Sequence, residues 1–171
     1  MKIQEIGFLF LFLITTSAGY AQIDYSLKVE TGCIQFIYNS LDVDPGPDWK
    51  GYYLEDDDGM DISLINGIMY ADRFFAGIGT GYSNFEGMDG LSVFADFDYL
   101  PLKTRLSPLL NAKFGYHHLW NQYENGTGTA SGNLALGINF RVSRHFDIYA
   151  KGGIMLSQQA FLFPLRLGAR F

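Results

Sequence analysis

The sequence predicts an all-β fold, an eight-stranded antiparallel up-and-down transmembrane β-barrel. Three observations predict it: apolar residues recur at every second position, eight segments carry that pattern, and the connections between them tend to alternate in length. A period of two belongs to a strand, whose successive side chains point to opposite faces. The 171 residues are 48% hydrophobic, 16% aromatic and only 18% charged, which suits one domain and excludes a disordered chain. A formal net charge of -6 argues against nucleic acid as a partner, because phosphate contact needs a basic face. The single Cys33 admits no intramolecular disulfide, and no spacing of Cys and His fits a zinc site.

Residues 1–21 read as a signal peptide. Lys2 is followed by the apolar run Ile6 to Ile14 and then by Gly19-Tyr20-Ala21, a small-x-small cleavage pattern. The run is too short for a spanning helix, so the barrel domain is expected over 22–171. Within it, 29–38 and 61–71 are strand-like but irregular at Ile34, Phe36 and Asn66, where a bulge is expected. The segments 74–82 and 91–99 follow, the second with Asp96 and Asp98 on one face. In 110–117, Leu110, Ala112, Phe114 and Tyr116 alternate with Asn111, Lys113, Gly115 and His117. The cleanest alternation runs from Asn133 to Val142 and puts Arg141 opposite the apolar set. Strands at 148–154 and 165–171 complete the eight, with Lys151, Arg166 and Arg170 on their polar faces. The connections expected at one end are 39–60, 84–90, 121–132 and 157–160, and at the other 72–73, 100–107 and 143–145. The longer ones fall mostly at the first end, although 157–160 is short and 100–107 is long for that pattern.

Alternation alone does not say which face is the core, since a soluble barrel uses the same pattern with its apolar face inward. Glycine decides. Gly77, Gly79, Gly81, Gly115, Gly137, Gly153 and Gly168 share the polar face, and only Gly152 departs. On a wet exterior they would weaken strands for no gain, whereas inside a narrow barrel they make room for Lys, Arg, Asp and Tyr side chains to cross the lumen. The polar face is therefore the inner one. Glu30, Asp96 and Asp98 then share a small lumen with Lys113, Arg141, Lys151, Arg166 and Arg170, and a salt-bridged plug with a structural role is expected. Aromatics near the ends of the apolar face, at Phe74, Tyr82, Tyr99, Tyr116, Phe146 and Phe171 with Trp120 just beyond, match interfacial girdles.

The closing run from Phe163 to Phe171, with Leu165, Leu167 and a terminal Phe171 in alternation, resembles the C-terminal signal read by the barrel-assembly machinery of outer membranes. The run Phe75-Ala76-Gly77-Ile78-Gly79-Thr80-Gly81-Tyr82, with Val93-Phe94-Ala95-Asp96 and the stretch from Ser107-Pro108 to Lys113-Phe114-Gly115-Tyr116, resembles the small outer-membrane β-barrel family of Bacteroidetes-type bacteria, within the wider OmpA/OmpX-like barrels. The likeness covers nearly all of the chain after residue 21. It implies the fold and a cell outer-membrane location, with outer-membrane lipid, lipopolysaccharide and the assembly machinery as partners.

Chemistry-bearing residues are few. His117 and His118 are adjacent, so a strand sends them to opposite faces and they share no site, and no matched Ser or acidic motif accompanies them. Asp42, Asp44, Asp48, Glu55, Asp56, Asp57, Asp58 and Asp61 cluster in and next to the first connection against the single Lys50. An EF-hand register fails there, with Leu54 and Ile65 at ligand positions, so a solvated acidic loop is expected. No catalytic residue, metal site or cofactor is expected. The expected function is structural or surface-interacting, in adhesion or envelope integrity, with a surface ligand reached through the connection 39–60, which opens at Asn39 and closes at Met60. The alternatives are a narrow channel for small solutes and a membrane-embedded lipid or peptide hydrolase.

Overall fold

The computed structural model describes residues 23–39, 46–50, 58–85, 87–122, 125–158 and 160–171. The signal peptide expected at 1–21 and the acidic residues Asp42, Asp44, Glu55, Asp56 and Asp57 lie outside the described residues. Eight strands follow one another: β1 (Ile23–Asn39), β2 (Gly59–Tyr70), β3 (Phe74–Phe85), β4 (Met88–Tyr99), β5 (Leu106–Leu119), β6 (Thr127–Ser143), β7 (Phe146–Ser157) and β8 (Ala160–Arg170). Each pairs antiparallel with its neighbour in sequence, and β8 returns to β1, so the barrel is closed and no edge is left unpaired.

Closure has a measurable offset. The paired register runs from Ser26 through Gly67, Gly77, Asp96, Lys113, Asn133, Met155 and Leu162 and re-enters β1 at Phe36, ten residues beyond its start. With about 3.3 Å of rise per residue and about 4.8 Å between strands, such an offset over eight strands inclines them by roughly 40° to the barrel axis.

The strands are longer than the alternation suggests, and most of the added length lies at the end carrying the connection 40–58. Residues 84, 85 and 88–90, expected in a loop, are paired strand, and β3 and β4 are joined by a tight turn with Gly87 at φ 85°. Two of the four connections at this end, at 86–87 and 158–159, are short, so long connections there are confined to 40–58 and 120–126. At the opposite end, Ala71 and Asp72 have φ of 54° and 58°, the successive left-handed pair of a type I′ hairpin turn. The bulge expected in β1 is present where β1 pairs β8, between Phe36 and Tyr38, but β2 keeps an unbroken register on both sides. Asn66 faces outward, and β2 looks irregular because Ile65 and Met69 face inward beside Ser63.

The outside is apolar: Ile62, Ile78, Leu136 and Leu167 are 54%, 69%, 67% and 61% exposed, and the other exposed large side chains of the strands share their parity except at the bulge of β1, where Ile37 and Tyr38 are both exposed. Lysine, aspartate and arginine are buried within. This is the reverse of a water-soluble barrel and the arrangement a lipid solvent demands. Aromatic residues gather at both ends of the outer face. Phe74 stacks on Tyr99 at 4.8 Å and Phe146 meets Phe171 at 5.1 Å at the end of the chain termini, while Tyr38 stacks on Phe161 at 4.7 Å and His118 meets Trp120 at 4.8 Å at the loop end.

The lumen is layered. At the loop end Ile34, Phe85, Met88, Leu119, Met155, Ala160 and Leu162, with Phe36 against them, form an apolar cluster. A second cluster of Ile65, Met69, Phe75, Phe94, Leu100, Leu109 and Tyr149 packs toward the other end. Inward glycines lie under rings of these clusters. A Cβ on Gly79 would meet Phe94 at 2.7 Å, and one on Gly168 would meet Tyr149 at 2.4 Å. The glycines therefore make space for aromatic rings as much as for the charged chains expected to need it.

Candidate functional site

The lumen gathers most of the buried charge of the described residues, and its register places each group. Lys28 and Glu30 leave β1 on the same side, two residues apart, while Asp96 pairs Lys113 directly across β4 and β5. Lys28 Nζ donates to Asp96 at 2.5 Å and to Asp98 at 2.7 Å and lies 3.5 Å from Glu30. Glu30 accepts from Lys113 at 2.5 Å, from Lys151 at 2.6 Å and from the Tyr149 hydroxyl at 2.8 Å. Asn111 Nδ2 donates to both Asp96 and Asp98, at 2.6 and 2.7 Å. Farther along, Arg170 pairs Asp147 and lies 3.8 Å from Asp98. Arg166 Nε donates to Asp61 at 2.7 Å. Five acids, Glu30, Asp61, Asp96, Asp98 and Asp147, thus face five bases, Lys28, Lys113, Lys151, Arg166 and Arg170. Ionised groups in so dry a space persist only when paired and hydrogen-bonded, and here the pairing balances.

Asp96, Asp98, Lys113, Lys151, Arg166 and Arg170 are brought together by this network. Arg141 joins only at the margin, at the rim of the terminus end, with its side chain 27% exposed, 3.7 Å from Asp147 and 3.9 Å from Asp72. Asp61, grouped by sequence with the acids of the neighbouring loop although it opens the expected strand 61–71, faces inward: β2 begins at Gly59, and its parity turns Asp61 into the lumen. Lys28, Asp147, Asn111 and Tyr149 join the network although the reading of the sequence assigned them no role. Lys28 and Asp147 share the parity of Glu30 and Lys151, a signal that could have found them. Leu165, Leu167 and Phe171 all face outward, at 54%, 61% and 54% exposed. The Phe171 backbone exchanges two hydrogen bonds with Leu27, at 2.8 and 3.0 Å, and so extends the seam that closes the barrel.

The two histidines do part. His118 looks outward beside Trp120, whereas His117 is buried in the lumen. Sequence reading found no serine partner, yet the fold supplies two: Ser83 Oγ lies 2.9 Å from His117 Nε2 and Ser157 Oγ 3.2 Å from Nδ1. They come from β3 and β7, too far away in sequence for spacing to reveal. A nucleophile and base stand at such a distance, but the second nitrogen meets a neutral hydroxyl where an orienting carboxylate is usual. Leu119 and Met155, neighbours in parity to His117 and Ser157, belong to the apolar cluster at the loop end. The geometry is that of a satisfied buried imidazole. Among the described residues no group of three or more His, Cys, Asp and Glu is placed to hold a metal ion.

Taken together, an apolar exterior, a closed antiparallel barrel and an ion-paired interior define an eight-stranded transmembrane β-barrel. Solved structures share this fold. The chain is similar to Neisserial surface protein A, with a TM-score of 0.65, 10% identity and coverage of 86% of this chain and 97% of that one. It is similar to the N-terminal β-barrel domain of Pseudomonas aeruginosa OprF, with a TM-score of 0.52, 15% identity and coverage of 88% and 100%. It is also similar to the outer membrane enzyme PagL, with a TM-score of 0.50, 12% identity and coverage of 85% and 98%. No known family and no curated protein matches the chain by sequence.

Proposed function

We propose that this chain is an outer-membrane protein without catalysis, whose role is structural or surface-interacting and is exercised at its lipid face and its loop end. The observation that carries this reading is the closed interior: five acids paired with five bases, with an apolar cluster at the loop end, leave the lumen largely filled by its own side chains. Work done by such a molecule falls to its outside. The outer-membrane location rests on the resemblance of the Phe163 to Phe171 run to an assembly signal, with Leu165, Leu167 and Phe171 as its residues, and on the fold shared with outer-membrane barrels. The signal peptide over 1–21 supplies export, and the motif runs at 75–82, 93–96 and 107–116 support a Bacteroidetes-type origin. Lipopolysaccharide, outer-membrane lipid and the assembly machinery are the partners this location provides, and the acidic connection 39–60 is the surface offered to a ligand. Protease applied to intact cells is expected to cut within that connection and leave the barrel whole. Protection of the connection in cells together with cleavage after lysis would overturn the orientation.

A second reading, a narrow conduit, draws on the polar groups that succeed one another from Asp72 and Arg141 at the rim through Asp147, Arg170, Asp98, Lys28 and Glu30. Planar-bilayer recording separates the two readings. No unitary conductance is expected from the wild type or from Arg166→Gln and Arg170→Gln, and steps that change with either substitution would favour the conduit.

A further inference from the structure

Inside the barrel, between the ion-pair network and the apolar cluster of the loop end, lies a cavity of about 40 Å³. Its walls include Asp61, Ser63, Ser92, Lys113, His117 and Arg166. One carboxylate oxygen in this wall is unusual. Asp61 Oδ2 accepts from Arg166, but Asp61 Oδ1 is buried without a hydrogen-bond partner, in a side chain only 9% exposed. A buried carboxylate oxygen left unpaired costs more than an average hydrogen bond gains, so a donor is required there.

We propose that the cavity is an internal hydration site holding a cluster of about three ordered water molecules, anchored on Asp61 Oδ1, since one water needs roughly 10–15 Å³ of such space. Three kinds of occupant are small enough, and the wall discriminates among them. A halide would suit Lys113 and Arg166 but would meet the unpaired oxygen of Asp61 with like charge. A monovalent cation would suit that oxygen but would meet the two bases. Water donates to the carboxylate and accepts from the ammonium and the serine hydroxyls, so it alone answers both signs. The cluster completes the polar lumen beneath the apolar layer. It is independent of the surface role proposed above.

The test is a crystal structure of the refolded full barrel in detergent, grown with rubidium and bromide in place of sodium and chloride. Ordered water within hydrogen-bond distance of Asp61 Oδ1 and no anomalous peak in the cavity are expected. A rubidium or bromide peak, or a dry cavity, overturns the proposal.

Discussion

Lys28 shows what a single charge does in this lumen. Its ammonium touches Asp96 and Asp98 and lies near Glu30, and all four side chains are almost wholly buried. Lys28→Met keeps most of the volume and removes the charge, leaving carboxylates with too few cations in a dry space. Stability is expected to fall by about 3–5 kcal/mol, the cost of breaking a buried pair from one side. Arg141→Gln breaks only half-exposed contacts at the rim and is expected to cost less than about 1 kcal/mol. Urea unfolding of the two variants refolded in detergent measures both, and equal costs would contradict the layered lumen. The strand period assigns Glu30, Asp96 and Lys151 to a polar face from sequence alone. It does not say which groups meet, because Lys28 finds Asp96 at a separation of 68 residues and Lys151 finds Glu30 at 121. Asp61 was illegible for another reason. It opens the expected strand, but its acidic neighbours in sequence and the irregular alternation of that strand hide the parity that turns it inward.

At the scale of the element, the seam between β1 and β8 is the place where the two ends of the barrel sequence must find each other. It carries a bulge at Phe36 to Tyr38, and Phe171 continues it with two backbone hydrogen bonds to Leu27 while its ring packs on Phe146. Phe171→Ala keeps the backbone bonds and removes the ring contact, so a loss of about 1 kcal/mol is expected from the aromatic pair. Deleting Phe171 removes the bonds as well. It is expected to lower the yield of folded barrel further, as read from heat-modifiable migration on gels after refolding into lipid vesicles. Equal yields for deletion and substitution would mean that the seam does not need its last residue. Strand existence was legible in all eight segments, because alternation is a local property. Strand ends were not. Beyond the apolar band Phe85, Met88, Leu119 and Leu162 turn inward into the loop-end cluster, so apolar parity reverses and the pattern that marks a strand disappears while the pairing continues.

For the whole molecule, one inversion accounts for the composition, the exposed aliphatic surface and the paired charges inside. Closure leaves every interior strand bonded on both sides, which lets the backbone cross a solvent that offers no hydrogen bonds. The ten-residue offset of the register fixes how far the strands lean and how little room is left at the axis for anything but side chains. If the outer face meets hydrocarbon, the cost of a charge placed on it must depend on depth. Leu136 is 67% exposed near the middle of β6, and Leu102 is 49% exposed in the connection between β4 and β5. In water the two positions would tolerate arginine alike. In a bilayer, Leu136→Arg is expected to cost about 2–4 kcal/mol and Leu102→Arg less than about 1 kcal/mol. Reversible urea titration in lipid vesicles measures the difference. Equal costs, or a compact monomer formed by residues 22–171 without any detergent, would show that the apolar face does not look at lipid.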